Sequence, residues 1–182
     1  NIAEHHGLEV ATIDSKTVTI LEGLIVMYAN DLLNSGADFD TIVKKLNKAV
    51  GNSIAIGWIN SLRYLKAGGR LGKAASKVSA VLNFKPFMSV DGNGEFDLYK
   101  LKISKEKSYI ETVKKVKEEL AGKENYYMAY LYGNDISILD GVKSDLADLE
   151  KNAKGVFEAP TGSVVAVHVG PKIYAVAYLL ID

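Results

Sequence analysis

The residues best suited to chemistry lie near the C-terminus, in Thr161-Gly162-Ser163-Val164-Val165-Ala166-Val167-His168-Val169-Gly170-Pro171. An imidazole can donate to an anionic group near neutral pH. Here it ends a β-branched run, immediately before a Gly-Pro turn. Alternation sends Val165, Val167 and Val169 to one side of a strand and His168 to the other. The sequence thus predicts a strand over Val164–His168, with the imidazole at its end, where loops and ligands meet. The competing reading is a histidine that caps the strand and bonds locally.

Gly68-Gly69-Arg70-Leu71-Gly72-Lys73 is the second candidate. A phosphate loop of the form Gly-x-x-x-x-Gly-Lys-Ser/Thr fails twice, with Ala67 at the first glycine and Ala74 where the metal-binding hydroxyl belongs. Two readings remain: an anion site built from N–H groups at a helix start with Arg70 and Lys73, or a glycine turn with Arg70 tied to a carboxylate. Asp14-Ser15 ends a short predicted strand, placed either to line a crevice at strand carboxyl ends or to form a turn in which Asp14 bonds its own backbone. Lys85, before Pro86, reads as an edge lysine whose stem runs along apolar neighbours.

Composition removes several classes of function. The 22 basic and 22 acidic residues cancel, so nucleic-acid binding, which rests on clustered positive charge, is disfavoured. With no cysteine there is no disulfide, thiolate metal site or cysteine nucleophile, and a cytoplasmic location is expected. His5-His6 lacks a further ligand at metal spacing, so no metal is expected. Tyr126, Tyr127, Tyr130 and Tyr132 share one predicted strand, whose alternation divides them between two faces; sheet packing fits them better than base stacking. No Ser-His-Asp arrangement can be argued from one interior histidine. No membrane span is expected, because Ile173–Ile181 is far short of ~20 apolar residues and Ile20–Leu33 is interrupted by Glu22, Asn30 and Asp31.

The elements that must position these groups follow from periodicity. Leu8–Ile13 reads as a short buried strand. Leu21, Leu24, Ile25, Tyr28 and Leu32 mark one helix, stopped at Gly36; Asp38 or Asp40 caps a second, with Ile42, Val43, Leu46 and Val50 inward. A boundary is drawn at Gly51-Asn52, followed by a strand over Ser53–Ile59. Ala74–Leu82 is predicted helical, and Phe84–Val90 and Glu95–Ile103 flank the hairpin signal Asp91-Gly92-Asn93-Gly94. Ser104 caps a helix facing inward with Ile110, Val113, Val116 and Leu120. Tyr126–Tyr132 is a strand. Asp135 opens a helix with Ile136, Leu139, Val142, Leu146 and Leu149 inward, despite Gly141, which costs ~1 kcal/mol against alanine. Val164–His168 and Ile173–Leu180 close the chain as strands. This order predicts an α/β fold in the broad sense, with α+β character: a mixed β-sheet covered by helices.

Leu62-Arg63-Tyr64-Leu65-Lys66-Ala67-Gly68-Gly69-Arg70-Leu71, then Leu82-Asn83-Phe84-Lys85-Pro86, then His168-Val169-Gly170-Pro171 occur in that order, with Asp14-Ser15 near the start. In that order and spacing they resemble the DegV-type fatty-acid-binding family, over essentially the whole chain. Val169 stands where the family has threonine, and Lys172 where it has a second glycine. The resemblance implies two domains: residues 1–50 would be the C-terminal remnant of a first, Rossmann-like parallel-sheet domain that is otherwise missing, and residues 51–182 the second domain. It implies non-covalent binding of one long-chain fatty acid, with the acyl chain in an apolar tunnel and the carboxylate at the domain interface. It also implies a separate fatty-acid kinase as partner, no catalysis by the chain itself, and no cofactor beyond the bound fatty acid. Carried over by position, the lipid-binding residues would be His168, Gly170, Arg70 and Ser15. The hydroxyls that share the carboxylate would lie in the missing domain, leaving half a head-group site here. A kinase-related enzyme of the dihydroxyacetone-kinase type and a ligand-free interaction module are the alternatives.

Overall fold

The computed structural model describes residues 5–71, 85–90, 96–102 and 104–181, and side chains within them except at 96, 97 and 100–102. The predicted helix over Ala74–Leu82 and the turn at Asp91–Gly94 lie outside the described residues. The elements run α1 (Ile20–Asn34), α2 (Phe39–Val50), β1 (Ser53–Ile59), α3 (Arg63–Ala67), β2 (Lys85–Val90), β3 (Phe96–Lys102), α4 (Lys105–Leu120), β4 (Tyr126–Tyr132), a 3-10 turn (Ile136–Leu139), α5 (Asp140–Glu150), β5 (Gly155–Pro160), α6 (Ser163–Val169) and β6 (Ile173–Leu180). One six-stranded sheet takes the order β3-β2-β1-β6-β4-β5. Only β4 and β5 pair in parallel, joined by the α5 crossover, so the sheet is mixed, as the element order predicts.

The two faces of the sheet differ in side-chain size. Period-two alternation puts Ile56, Val176 and Tyr130 in one cross-strand row and Trp58, Tyr174 and Tyr132 in the next. This bulky face packs under α4 and α5 through Val116, Leu120, Val142 and Leu146. On the opposite face the rows are Ala55, Ala177 and Ala129, then Gly57, Ala175 and Leu131. Tyr127 points to this face, against Tyr28 of α1. The tyrosines of β4 therefore divide between both faces as packing residues.

Helix α1 buries Leu21, Leu24, Ile25, Tyr28 and Leu32, the stripe expected from spacing. Asp38 caps α2 by accepting from the Thr41 N–H at 2.8 Å, which holds its carboxyl below the usual range. Both helices cover the small-residue face, packing on Tyr127, Ala129, Ala177 and Leu179. The division drawn at residue 50 thus falls in a turn, and the helices before it share a core with the strands after it.

Four expectations need correction. Leu8–Ile13 forms no strand; Leu8 and Val10 are 61% and 53% exposed, since no described strand pairs with this segment. Val164–His168 is helical, within α6, and the strand of this region is instead β5, eight residues earlier. Glycines frame the helix: Gly162 and Gly170 have φ of 73° and 81°, left-handed conformations that suit glycine. Val165 and Val169, one turn apart, meet the sheet, whereas Val164 and Val167 are exposed. Val167 therefore does not share a buried face with them. In α4, Ile110 points to solvent, and the inward line is Ser108, Thr112, Val116 and Leu120. Small Ser108 and Thr112 let the helix approach closely enough for Thr112 Oγ1 to meet the Tyr174 hydroxyl at 3.2 Å. Asp135 starts a 3-10 turn before α5 and accepts from the Ser137 N–H, and Ile136 is exposed.

Candidate functional site

A narrow apolar cleft of about 60 Å³ opens on the small-residue face. Its floor is Ala55, Gly57, Ala175 and Ala177; its walls are Val18–Leu21 on one side and Val165 and Val169 of α6 on the other. The floor is low because β1 and β6 supply only hydrogens and methyls there. Gly57 is required by close approach: a Cβ built on it would lie 2.1 Å from the Tyr174 carbonyl oxygen. The wall at Val18–Leu21 is formed by a sharp change of chain direction. Thr19 has φ 55° and ψ −129°, an uncommon conformation for a β-branched residue. Its hydroxyl accepts from the Ile20 N–H, which helps hold the turn.

Beside this cleft, α3 and α6 meet. A Cβ on Gly68 would stand 2.3 Å from His168 Nδ1, and one on Gly170 would stand 2.6 Å from the Tyr64 ring. The imidazole therefore lies on Gly68, and Tyr64 lies on Gly170. His168 Nδ1 is buried without a hydrogen-bond partner, so local capping does not account for it. Arg70 is exposed, and its Nη1 donates to the Gly68 carbonyl at 2.6 Å. The arginine stiffens the glycine turn on which the histidine rests, in place of the carboxylate contact considered from sequence.

Of the four predicted site residues, the structure thus brings three together: His168, Gly170 and Arg70, through Gly68 and Tyr64. Ser15 lies in the extended segment that leads to Val18, with its hydroxyl accepting from Thr17 N–H at 3.4 Å. Asp14 accepts from Lys16 N–H at 3.0 Å, the self-bonding turn expected of it. No hydrogen bond joins Ser15 to the other three among the described residues. Gly72 and Lys73 lie outside the described residues.

Sequence reasoning missed Tyr64, Thr19 and the cleft floor. The floor had a signal: Ala175-Val176-Ala177 within β6 and Ala55-Ile56-Gly57 within β1 put small residues at alternate positions. Among the described residues no cluster could hold a metal ion, and no helix is long and apolar enough to cross a membrane.

A family model described as "Uncharacterised protein, DegV family" matches residues 1–180. A DegV domain-containing protein of Clostridium acetobutylicum is 25% identical over 172 residues, covering 94% of this chain and 61% of that relative. One of Clostridium perfringens is 28% identical, covering 97% and 62%. The chain thus spans about three fifths of the relatives' length. Among solved structures, a stearic acid-binding protein from Eubacterium ventriosum superposes with a TM-score of 0.81 at 26% identity, covering 98% of this chain and 62% of that one. A fatty-acid-binding DegV family protein from Thermus thermophilus reaches 0.87 at 21% identity, covering 98% and 64%; this likeness concerns the fold.

Proposed function

The chain belongs to the DegV family, and from that premise we propose that it binds a long-chain fatty acid without covalent attachment, the acyl chain in the cleft and the carboxylate beside His168. The observation that carries this reading is the apolar cleft itself, floored by alanine and glycine and bordered by the helix that carries His168. Each buried methylene contributes ~0.8 kcal/mol, so about ten supply ~8 kcal/mol before the costs of association. The tail provides affinity, and one or two polar groups orient the head. With Nδ1 against Gly68, Nε2 is the nitrogen for the carboxylate. Gly170 allows the backbone to turn beside it, Arg70 adds positive charge, and Ser15 offers a hydroxyl from the segment bordering the cleft.

The reading extends to the whole protein. A first domain, of the kind the family resemblance implies, would supply the remaining carboxylate partners. A separate fatty-acid kinase would receive the presented carboxylate in the cytoplasm, and this chain would carry out no catalysis. The kinase-like alternative needs a nucleotide loop, and Ala67 and Ala74 break that pattern. Extraction of the purified folded protein, followed by mass spectrometry of its lipids, tests the proposal. Stoichiometric fatty acid supports it; a lipid-free protein that also fails to take up added stearate overturns it.

A further inference from the structure

A second cavity, of about 370 Å³, opens at the other face of the sheet, at the end where β1 and β4 finish and β2 and β6 begin. Lys85, Lys105 and Lys172 line it together with Trp58 and Asp135. Fatty-acid binding makes no use of these groups. The backbone holds the turn that carries Lys172: its carbonyl accepts from Asn60 N–H at 3.0 Å, and the Pro171 carbonyl from Asn134 N–H at 2.9 Å. Lys105 is the first residue of α4, a helix of 16 residues, so the positive end of its dipole lies at the same place.

Trp58 is 3% exposed, and its indole Nε1 has no hydrogen-bond partner. An indole N–H donates only, so it requires an acceptor. Asp135 makes no bond to it; its Oδ1 instead accepts from Ser137 N–H at 3.1 Å and Ser137 Oγ at 2.7 Å. Those bonds, and then the fields of Lys105 and Lys172, keep the Asp135 carboxyl below its usual range. Glu106, outside the lining, is held low by its own backbone N–H and Ser104 and then by Lys105 and Lys85. Three lysines against one lining carboxylate leave an excess of two positive charges, which matches a phosphoryl dianion better than a carboxylate. We propose that this cavity binds a phosphoryl group, held by Lys85, Lys105 and Lys172 and accepting from the Trp58 indole, at a site separate from the acyl cleft.

The probe is inorganic phosphate, titrated into the 182-residue chain at constant ionic strength with chloride as the balancing ion. Phosphorus NMR line width reports binding, and the emission of Trp58, the single tryptophan, reports its place. Saturable changes in both are expected. Lys105→Gln combined with Lys172→Gln, two exposed positions, should weaken binding about tenfold or more with the melting temperature unchanged, as expected on losing two charge-assisted contacts. Vesicles containing phosphatidate, compared with phosphatidylcholine alone, separate the sources: vesicle binding displaced by phosphate assigns a lipid headgroup, and phosphate binding without vesicle binding assigns a soluble phosphate. Either supports the proposal. No saturable phosphate binding, a silent Trp58 during binding, or unchanged binding by the double variant overturns it.

Discussion

Replacing Ala175 by leucine should close the acyl cleft while leaving the sheet folded. Ala175 sits between Gly57 and Leu131 in the cross-strand row. A Cβ built on Gly57 would approach the Ala175 methyl to 2.7 Å, so that methyl overhangs the one floor position without a side chain. Leucine adds three carbons there, in the space the acyl chain would fill. Displacing about three acyl methylenes at ~0.8 kcal/mol each removes ~2.4 kcal/mol, which raises the dissociation constant roughly fiftyfold. Overpacking costs ~1–3 kcal/mol in a filled core, but the added carbons enter open space, so stability should change by less than ~1 kcal/mol. Stearate titration calorimetry with the protein that carries this chain, beside its thermal melt, gives both numbers. A folded variant that binds stearate within about twofold of the parent would refute the assignment of the cleft, since a twofold change is less than ~0.5 kcal/mol.

Removing the imidazole in His168→Ala should weaken binding by ~1.5–3 kcal/mol, about tenfold to hundredfold, with little change in melting; a lower melting temperature with intact affinity would assign His168 to packing instead. Gly170→Ala should cost ~1–3 kcal/mol of stability, because φ is 81° and the new Cβ would meet the Tyr64 ring; Gly69→Ala, at φ 68° with open space around it, is the milder control, and equal melting of the two would contradict the Tyr64 contact. Alkaline stability should fall as pH rises. Burial, and then the bond to Asp145, push the Tyr109 hydroxyl up to about 12, and burial raises Tyr127, Tyr130, Tyr174 and Tyr178 as well. The unfolded chain ionises first, near ~10, so the contribution of Tyr109 is full below that pH and is lost towards about 12. Denaturant midpoints over this range should decline, and Tyr109→Phe should flatten part of the decline; an unchanged slope would exclude the Tyr109–Asp145 bond as its source.

Much of the architecture was legible wherever one element carries its own pattern. The α1 stripe from Leu21 to Leu32, the Asp38 and Ser104 caps and strands β1, β4 and β6 needed only local spacing. What failed depended on partners elsewhere. The valines around His168 favour a strand by propensity, yet the slot beside β4 is taken by β5, whose Glu158 and Pro160 weaken its own signal. Pro160 is tolerated because β5 is an edge strand. Leu8–Ile13 has the composition of a strand and no strand to pair with among the described residues. The site was half legible. The His168-Val169-Gly170-Pro171 motif marks the place, but the contact of His168 with Gly68 joins residues a hundred positions apart. The cleft arises from small residues, Ala55, Gly57, Ala175 and Ala177, whose effect depends on strand register.

The most direct test places the acyl chain itself. Uniformly carbon-13 labelled stearate, added to saturation, should give proton–proton nuclear Overhauser contacts from its methylenes to the methyls of Ala55, Ala175, Ala177, Val165 and Val169, the residues that line the cleft. Contacts confined to Val116, Val142 and Leu146 beneath the opposite face, or to none of these methyls, would contradict the account.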